Sequence, residues 1–286
     1  MLEWPDDSKH LWKSHRPEVV DTPSALSQPE ESPTDDSTER TYSMTTTYHI
    51  TRETVDSYAF TNASQLSGEI RGIVLCFHGL GGCASLITEP DVFARAYAQA
   101  GLLYIMPYDS PWSWMNDTAV RTTDQILSAV QEKYGLDPSL RVVSTGGSMG
   151  GLSCLIYARY AGHPISAVAA NCPVCDLPTH FTERPDLPRT IYSAFAHYSC
   201  GVEEAVRLHS PLHQADRLPD IPYYIVHGDG DTAVNKALHS DRLVAKMRQL
   251  GYSVEYREVP GMLHCQLPQE EIDSYIRFVV RQVLGQ

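Results

Sequence analysis

From residue 45 onward, short apolar runs alternate with stretches whose apolar residues recur at helical spacing. Ile73–Phe77 (IVLCF) and Leu102–Met106 are continuous apolar runs, the pattern of strands buried on both faces. Between them Val92, Phe93, Ala96, Tyr97 and Ala100 share one face of a helix over Asp91–Ala100, opened by Pro90 and closed by Gly101. Ile126, Leu127, Val130 and Tyr134 do the same over Thr122–Tyr134, which stops at Gly135, and Arg141–Ser144 extends again. Ala167–Ala170, Tyr223–Val226 and Val254–Val259 continue the strands. Helical faces follow on Leu238, Leu243, Val244, Met247 and Leu250, and on Ile272, Tyr275, Ile276, Val279, Val280 and Val283. Thr45–Ile50 and Val55–Phe60 read as edge strands. Repeated alternation of this kind predicts an α/β fold, a mostly parallel central sheet with helices on both faces. It fails between Cys175 and about Asp220, a proline-punctuated stretch too long for an ordinary connection, which we expect to form a small cap over residues 175–220.

A chain of 286 residues, 42% apolar, can bury a large core and has room for one or two domains. The first 40 residues differ from the rest: five prolines, nine Ser/Thr and only nine apolar residues cannot offset their own ordering entropy. We expect residues 1–44 to be a flexible acidic tail and 45–286 to be the folded domain. Trp4, Leu11 and Trp12 are the tail's candidates for docking on the body or on a second copy, which leaves a homo-oligomer open.

Charge and cysteine usage narrow the function. The formal charge is −13, of which ten acids and four bases in residues 1–40 supply −6. Nucleic acid and anionic membrane surfaces are poor partners for such a chain, because both call for a basic footprint. No run approaches the roughly 18 apolar residues of a membrane span, and the opening Met1-Leu2-Glu3-Trp4-Pro5-Asp6-Asp7 lacks the basic start and apolar stretch of a leader. Seven cysteines, an odd number, point to reduced thiols and a cytoplasmic location.

The candidate chemistry begins at Gly146-Gly147-Ser148-Met149-Gly150, between the strand RVVST and a helix carrying Leu152, Leu155, Ile156 and Tyr160. A serine presented on a strained strand-to-helix turn needs glycine two residues away on either side, where a side chain would clash. The helix N-terminus then aims its N–H groups at charge developing beside Ser148. A serine hydroxyl is a weak nucleophile at neutral pH and needs a base oriented by an acid. Two later loops qualify. Strand YYIV runs into His227-Gly228-Asp229-Gly230-Asp231, and VEYREV runs into Pro260-Gly261-Met262-Leu263-His264. Both follow a strand's C-terminal end, the edge where open α/β sheets collect ligands. Asp229 and Asp231 compete for the acid. His78 and His227 read as supports of their own turns.

Trp112 and Trp114 follow strand LLYIM and either line a substrate pocket or pack under the cap. Cys172-Pro173-Val174-Cys175 has CxxC spacing without a second ligand pair, and Pro211 separates His209 from His213. We therefore expect no metal and no cofactor.

These motifs resemble the α/β-hydrolase superfamily, and within it the prolyl-oligopeptidase-like and acetyl-esterase-like branch, over residues 45–284. The family's acid motif His-Gly-x-x-Asp-x-x-Val matches His227 to Val234 and places the acid at Asp231; its Gly-x-x-His matches Gly261 to His264. Strand IVLCF leading into His78-Gly79-Leu80-Gly81-Gly82 is similar to the family's oxyanion loop, which implies donors from the backbone of Leu80 and Met149. The resemblance implies a serine hydrolase with Ser148, Asp231 and His264 as triad. The β-propeller that restricts prolyl oligopeptidases to peptides does not fit within 286 residues. The expected activity is therefore hydrolysis of small or carbohydrate-linked carboxylic esters, with a small-molecule ester as partner. An aminopeptidase or amidase is the nearest alternative, and a catalytically silent binding protein a further one.

Overall fold

The computed structural model describes residues 49–83 and 86–286. In chain order the strands are β1 (Ala59–Thr61), β2 (Ile73–Phe77), β3 (Leu103–Pro107), β4 (Val142–Gly147), β5 (Ala167–Asn171), β6 (Tyr223–Gly228) and β7 (Val254–Val259). The helices are α1 (Val92–Gln99), α2 (Asp117–Tyr134), α3 (Met149–Tyr160), α4 (Leu177–His180), α5 (Leu187–Phe195), α6 (Val202–Leu208), α7 (Ser240–Gln249) and α8 (Gln269–Leu284). The strands form one sheet in the order β1-β3-β2-β4-β5-β6-β7, parallel throughout except for the antiparallel β1–β3 pair.

Strand alternation divides the core into two layers. Ile73, Leu75, Phe77, Leu103 and Ile105 face α2, α3 and α7, whereas Val74, Tyr104 and Val143 face α1 and α8. Sheet with helices on both faces is thus what the hydrophobic pattern predicts. No helix among the described residues is long and apolar enough to cross a membrane.

Three local readings change. Val55–Ser57 is a short 3-10 turn rather than strand, because the carbonyl of Thr51 accepts the N–H groups of Thr54 and Val55; pairing begins only at Ala59, opposite Pro107. Of the strand expected over 45–50, residues 45–48 lie outside the described residues and His49–Ile50 is irregular. Helix α2 starts five residues earlier than its apolar face, because the side chain of Asn116 accepts the N–H of Ala119 at 3.0 Å and opens the helix at Asp117. The tail, its boundary at residue 45 and the docking of Trp4, Leu11 and Trp12 also lie outside the described residues.

The stretch 175–220 folds as three short helices, α4 to α6, and a final 3-10 turn at Ala215–Arg217. Polar ties fasten it to the loop after β3: Trp114 Nε1 donates to Thr190 Oγ1 at 3.2 Å, Asn116 Nδ2 to the carbonyl of Ala194 at 2.9 Å, and His209 Nδ1 to that of Met115 at 2.7 Å. On its other flank Glu183 accepts from His180 Nδ1 and, at 3.0 Å, from His239 Nε2. Trp114 is fully buried at this seam and meets the edge of the His180 ring at 5.7 Å. We expect Trp114→Ala to lower the unfolding free energy by about 3–5 kcal/mol, measured by urea denaturation; a loss under about 1 kcal/mol would show that the seam does not hold the cap.

Candidate active site

Ser148 stands between β4 and α3 with φ 60° and ψ −121°, a conformation costing about 1–3 kcal/mol that only its surroundings can enforce. Those surroundings are backbone. A Cβ on Gly150 would sit 2.1 Å from the carbonyl oxygen of Phe77, and one on Gly146 would sit 2.3 Å from that of Gly150. The serine's own N–H donates to the carbonyl of Asn171 at 2.9 Å, and its carbonyl accepts from Leu152 and Val174. Three strand ends therefore fix the turn from which Oγ projects.

The second loop is placed in the same way. Gly228, closing β6, approaches the loop after β7 so closely that a Cβ would lie 2.0 Å from the carbonyl oxygen of Met262. This contact sets Asp231 beside His264. Asp231 Oδ1 accepts the N–H groups of Ala233 and Val234 at 2.8 and 3.0 Å, while Oδ2 accepts from His264 Nδ1 at 2.7 Å. His264 Nε2 lies 2.9 Å from Ser148 Oγ. Ser148, His264 and Asp231 thus form one continuous hydrogen-bonded chain.

The competing residues take other positions. Asp229 Oδ1 accepts the N–H of Gly261 and ties the two loops together at the surface. His227 is buried, with Nδ1 2.6 Å from Ser240 Oγ and Nε2 donating to the carbonyl of Val234 at 3.1 Å, 3.2 Å from Asp231 Oδ2. His78 donates from Nδ1 to the carbonyl of Gly79 at 2.8 Å.

Electrostatics follow from this geometry. Burial would raise the pKa of Asp231, but hydrogen bonds from His227 and His264 outweigh it and hold the carboxyl far below the usual range. Burial would likewise lower that of His264, yet the Asp231 carboxylate, helped by Cys172, raises the imidazole to about 9. Two thiols flank it: Cys265 Sγ lies 3.9 Å from His264 Nε2, and the N–H of Cys265 donates to Cys172 Sγ at 3.4 Å. The hydrogen bond from the Cys265 thiol draws the Cys172 thiol down in pKa and pushes Cys265 up.

Beside Ser148 opens a cavity of about 610 Å³, lined by the strand ends of β2 to β5, the loop His78–Leu80, α1, α8, His264 and the cap residue Arg184. Among the described residues no hydrogen bond engages the backbone N–H of Leu80 or Met149. The two tryptophans do not reach this cavity. Trp114 packs under the cap, because its indole N–H finds its acceptor there, and Trp112 lies on the outer surface with the Arg189 guanidinium 5.4 Å from its ring centroid.

Cys172 and Cys175 do not act together: Cys172 turns to Cys265, and Cys175 Sγ donates to the carbonyl of Pro173. His209 and His213 also diverge, toward Met115 and Asp176. Among the described residues three acid- or thiol-containing groups come within metal-ligand reach. Cys172, His264 and Cys265 place their atoms within 4.8 Å of one another, as do Cys172, His227 and Asp231, and His180, Glu183 and His239. In the last group His239 Nδ1 accepts the N–H groups of Cys175 and Asp176, so its Nε2 carries a proton and donates to Glu183; the cluster is satisfied as a hydrogen-bond network.

Sequence reasoning missed Arg184, Cys265, Tyr97 and Tyr104 as lining residues. Helical and strand periodicity mark both tyrosines as core, and at 1% exposure that is where they lie, at the inner margin of the cavity.

Known proteins bear on this arrangement. The sequence model of the prolyl oligopeptidase family matches residues 113–282. Curated protein sequences give no match. Among solved structures the chain is similar to a puromycin-hydrolyzing peptidase of Mycobacterium tuberculosis, with TM-score 0.60 and 19% identity over 77% of this chain and 35% of that one. It is also similar to S-formylglutathione hydrolase from Agrobacterium tumefaciens (0.61, 14%, covering 75% and 85%) and to esterase PE8 (0.52, 16%, covering 76% and 95%). The chain thus spans about a third of the peptidase and most of the other two. At these identities the likeness shows the α/β-hydrolase fold.

The His264 imidazole should titrate near pH 9 by nitrogen NMR. In Asp231→Asn the midpoint should fall well below that, because burial then acts with less opposition. A wild-type midpoint at or below 6.5 would contradict the hydrogen-bonded chain.

Proposed function

The chain belongs to the prolyl oligopeptidase family of serine hydrolases, and from that premise we propose that it cleaves small carboxylic esters through an acyl-enzyme on Ser148. The observation that carries this reading is the pair of contacts at 2.7 and 2.9 Å that links Asp231 to His264 and His264 to Ser148. Ser148 Oγ attacks the ester carbonyl while its proton passes to His264 Nε2. Asp231 holds the imidazole with Nδ1–H toward itself and stabilises the imidazolium that forms. The carbonyl oxygen, now an anion, takes the backbone N–H groups of Leu80 and Met149, at the start of a helix whose dipole favours negative charge. Collapse breaks the carbon–oxygen bond, and His264 returns the proton to the departing alcohol. Water then repeats the sequence on the acyl-enzyme and frees the acid.

Ester is favoured over amide because the chain spans most of esterase PE8 and of S-formylglutathione hydrolase but only about a third of the puromycin-hydrolyzing peptidase. Family membership favours the second reading, a small aminopeptidase or amidase. All seven cysteines are unpaired, which suits a reducing compartment such as the cytoplasm.

A fluorophosphonate probe should label the wild type and not Ser148→Ala, and the variant should lose at least about 10³ in kcat on p-nitrophenyl acetate. Unlabelled native protein would leave a silent hydrolase fold that binds rather than cleaves. Comparison of p-nitrophenyl acetate, butyrate and octanoate with a proline-linked anilide divides the two enzymatic readings; turnover of the anilide alone would establish the peptidase.

A further inference from the structure

Of the three groups of metal-ligating side chains, one opens onto the cavity beside Ser148. Cys172, immediately after β5, and His264 and Cys265, in the loop after β7, bring two sulfurs and one ring nitrogen within 4.8 Å of one another. Local backbone fixes both cysteines. Each adopts a left-handed φ, 45° at Cys172 and 56° at Cys265, and the N–H of Cys172 donates to the carbonyl of Val226 at 2.8 Å. The N–H of Cys265 donates in turn to Cys172 Sγ at 3.4 Å, so the two turns are tied to each other. Cys265 Sγ packs against the serine turn, where a Cβ on Gly147 would lie 3.2 Å from it. His264 and Cys265 line the cavity, and the fully buried Cys172 closes the group from the protein side.

Weak internal bonding sets this group apart from the other two. Asp231, in the group with Cys172 and His227, already accepts two backbone N–H groups and His264, and none of those three residues lines the cavity. His180, Glu183 and His239 are committed to one another and to the backbone. The Cys265 thiol, by contrast, has beyond its bond to Cys172 only long contacts, 3.7 Å to the carbonyl of Asn171 and 3.9 Å to His264 Nε2. A thiol is a weak donor and a weak acceptor, so an ion that takes its sulfur displaces little. The spacing suits such an ion. Tetrahedral zinc, with bonds of about 2.3 Å to sulfur and about 2.0–2.1 Å to nitrogen, holds a sulfur and a nitrogen about 3.6 Å apart. Cys265 Sγ and His264 Nε2 are 3.9 Å apart. Two sulfurs and one imidazole select a thiophilic cation over magnesium or calcium, which call for oxygen. Three protein ligands of this kind leave a fourth position for water.

We propose that Cys172, His264 and Cys265 form an inhibitory site for one thiophilic divalent cation of the zinc class, which enters from the cavity and occupies Nε2 of His264. On binding, each thiol gives its proton to solvent, and the ion accepts a lone pair from each sulfur and from neutral Nε2. That nitrogen lone pair is the one that receives the Ser148 proton, so the loaded protein has no base for its nucleophile while Asp231 still accepts from Nδ1. A chelator that removes the ion restores the base. The inhibition rests on the reading of His264 as the base for Ser148; the binding of the ion rests on the three side chains alone.

Zinc chloride titrated against p-nitrophenyl acetate hydrolysis tests the site in chelator-treated wild type, Cys172→Ser, Cys265→Ser and the double variant, each scaled to its own metal-free rate. Cadmium binding to Ser148→Ala, followed by thiolate-to-cadmium charge-transfer absorption, reads the ion without reference to activity. Zinc should inhibit the wild type with one ion per chain, magnesium at the same concentration should not, and a chelator should restore the rate. The inhibitory concentration should rise by about 100-fold or more in the double variant, since loss of groups that merely support a ligand costs about 10–100-fold in metal affinity. The cadmium band should appear in Ser148→Ala and largely disappear when Cys265→Ser is added. Equal zinc inhibition of the double variant, equal inhibition by magnesium, or an uninhibited wild type overturns the site. Absence of the cadmium band from Ser148→Ala overturns it whether or not the cysteine variants fold. Metal-free wild type that fails to react with the fluorophosphonate probe, yet gives the cadmium band, would instead overturn the Ser148 reading and the inhibition with it, while supporting the ion site.

Discussion

The backbone of Gly150 lies against the carbonyl of Phe77 with no space for a side chain between them. That single approach joins the N-terminus of α3 to the end of β2, and most of the site follows from it. It forces the chain to turn sharply at Ser148, whose left-handed φ is then held by hydrogen bonds to Asn171, Leu152 and Val174. It also brings the loop that begins at His78 alongside the start of α3, where Gly79 comes close to the Ser148 side chain and the backbone N–H groups of Leu80 and Met149 are left unengaged. The strained serine and the approach of the His78 loop are one consequence of one contact rather than two separate devices.

The placement of Asp231 beside His264 depends on a second approach of the same kind, Gly228 on the carbonyl of Met262. Once these loops are in register, the electrostatics are set by what surrounds a fully buried carboxylate. Asp231 accepts two backbone N–H groups on one oxygen and His264 on the other, with the buried His227 beside it. A buried anion satisfied in this way stays ionised and supports a proton on His264. The imidazole is consequently held as a strong base, and the Cys172 thiol on its other flank adds to that tendency.

What could be read from the sequence is what local backbone geometry dictates. The GxSxG turn, the His227–Val234 loop and the Gly261–His264 loop each need glycine at a particular place, and each sits just past the end of a strand that the sequence pattern predicts. Close backbone contacts explain Gly146, Gly150 and Gly228, whereas Gly261 has open space around it and is explained by its left-handed φ of 69°. The edge of the sheet was less legible, since at Val55–Ser57 turn hydrogen bonds from Thr51 compete with pairing and the apolar alternation does not record the competition. Trp112 and Trp114 lie in a loop at the right edge of the sheet, yet which way an indole turns depends on where an acceptor such as Thr190 lies in the folded cap. The cavity was invisible for a related reason. Its lining comes from the ends of four strands, from α1 and α8 and from Arg184 of the cap, and no periodicity within one segment records how far apart those elements stand.

The cap bears on selectivity through its rigidity. Its short helices contribute little stability alone, but they are pinned along one flank by Thr190, Ala194 and His209 to the loop Trp114–Asn116, and along the other by Glu183 to His239. Burial works against ionisation of Glu183, while hydrogen bonds from His180 and His239 bring its pKa down to about 2, so this tie persists across the neutral range. Arg184, the next residue, is thereby held at the lining of the cavity and paired with Asp186. A cap fastened on both sides and anchored beside the mouth acts as a fixed wall. The mouth of the cavity is therefore bounded on one side by a wall whose position is set by the cap's own hydrogen bonds, and on the others by strand ends, α1 and α8, elements that the packing of the sheet already holds.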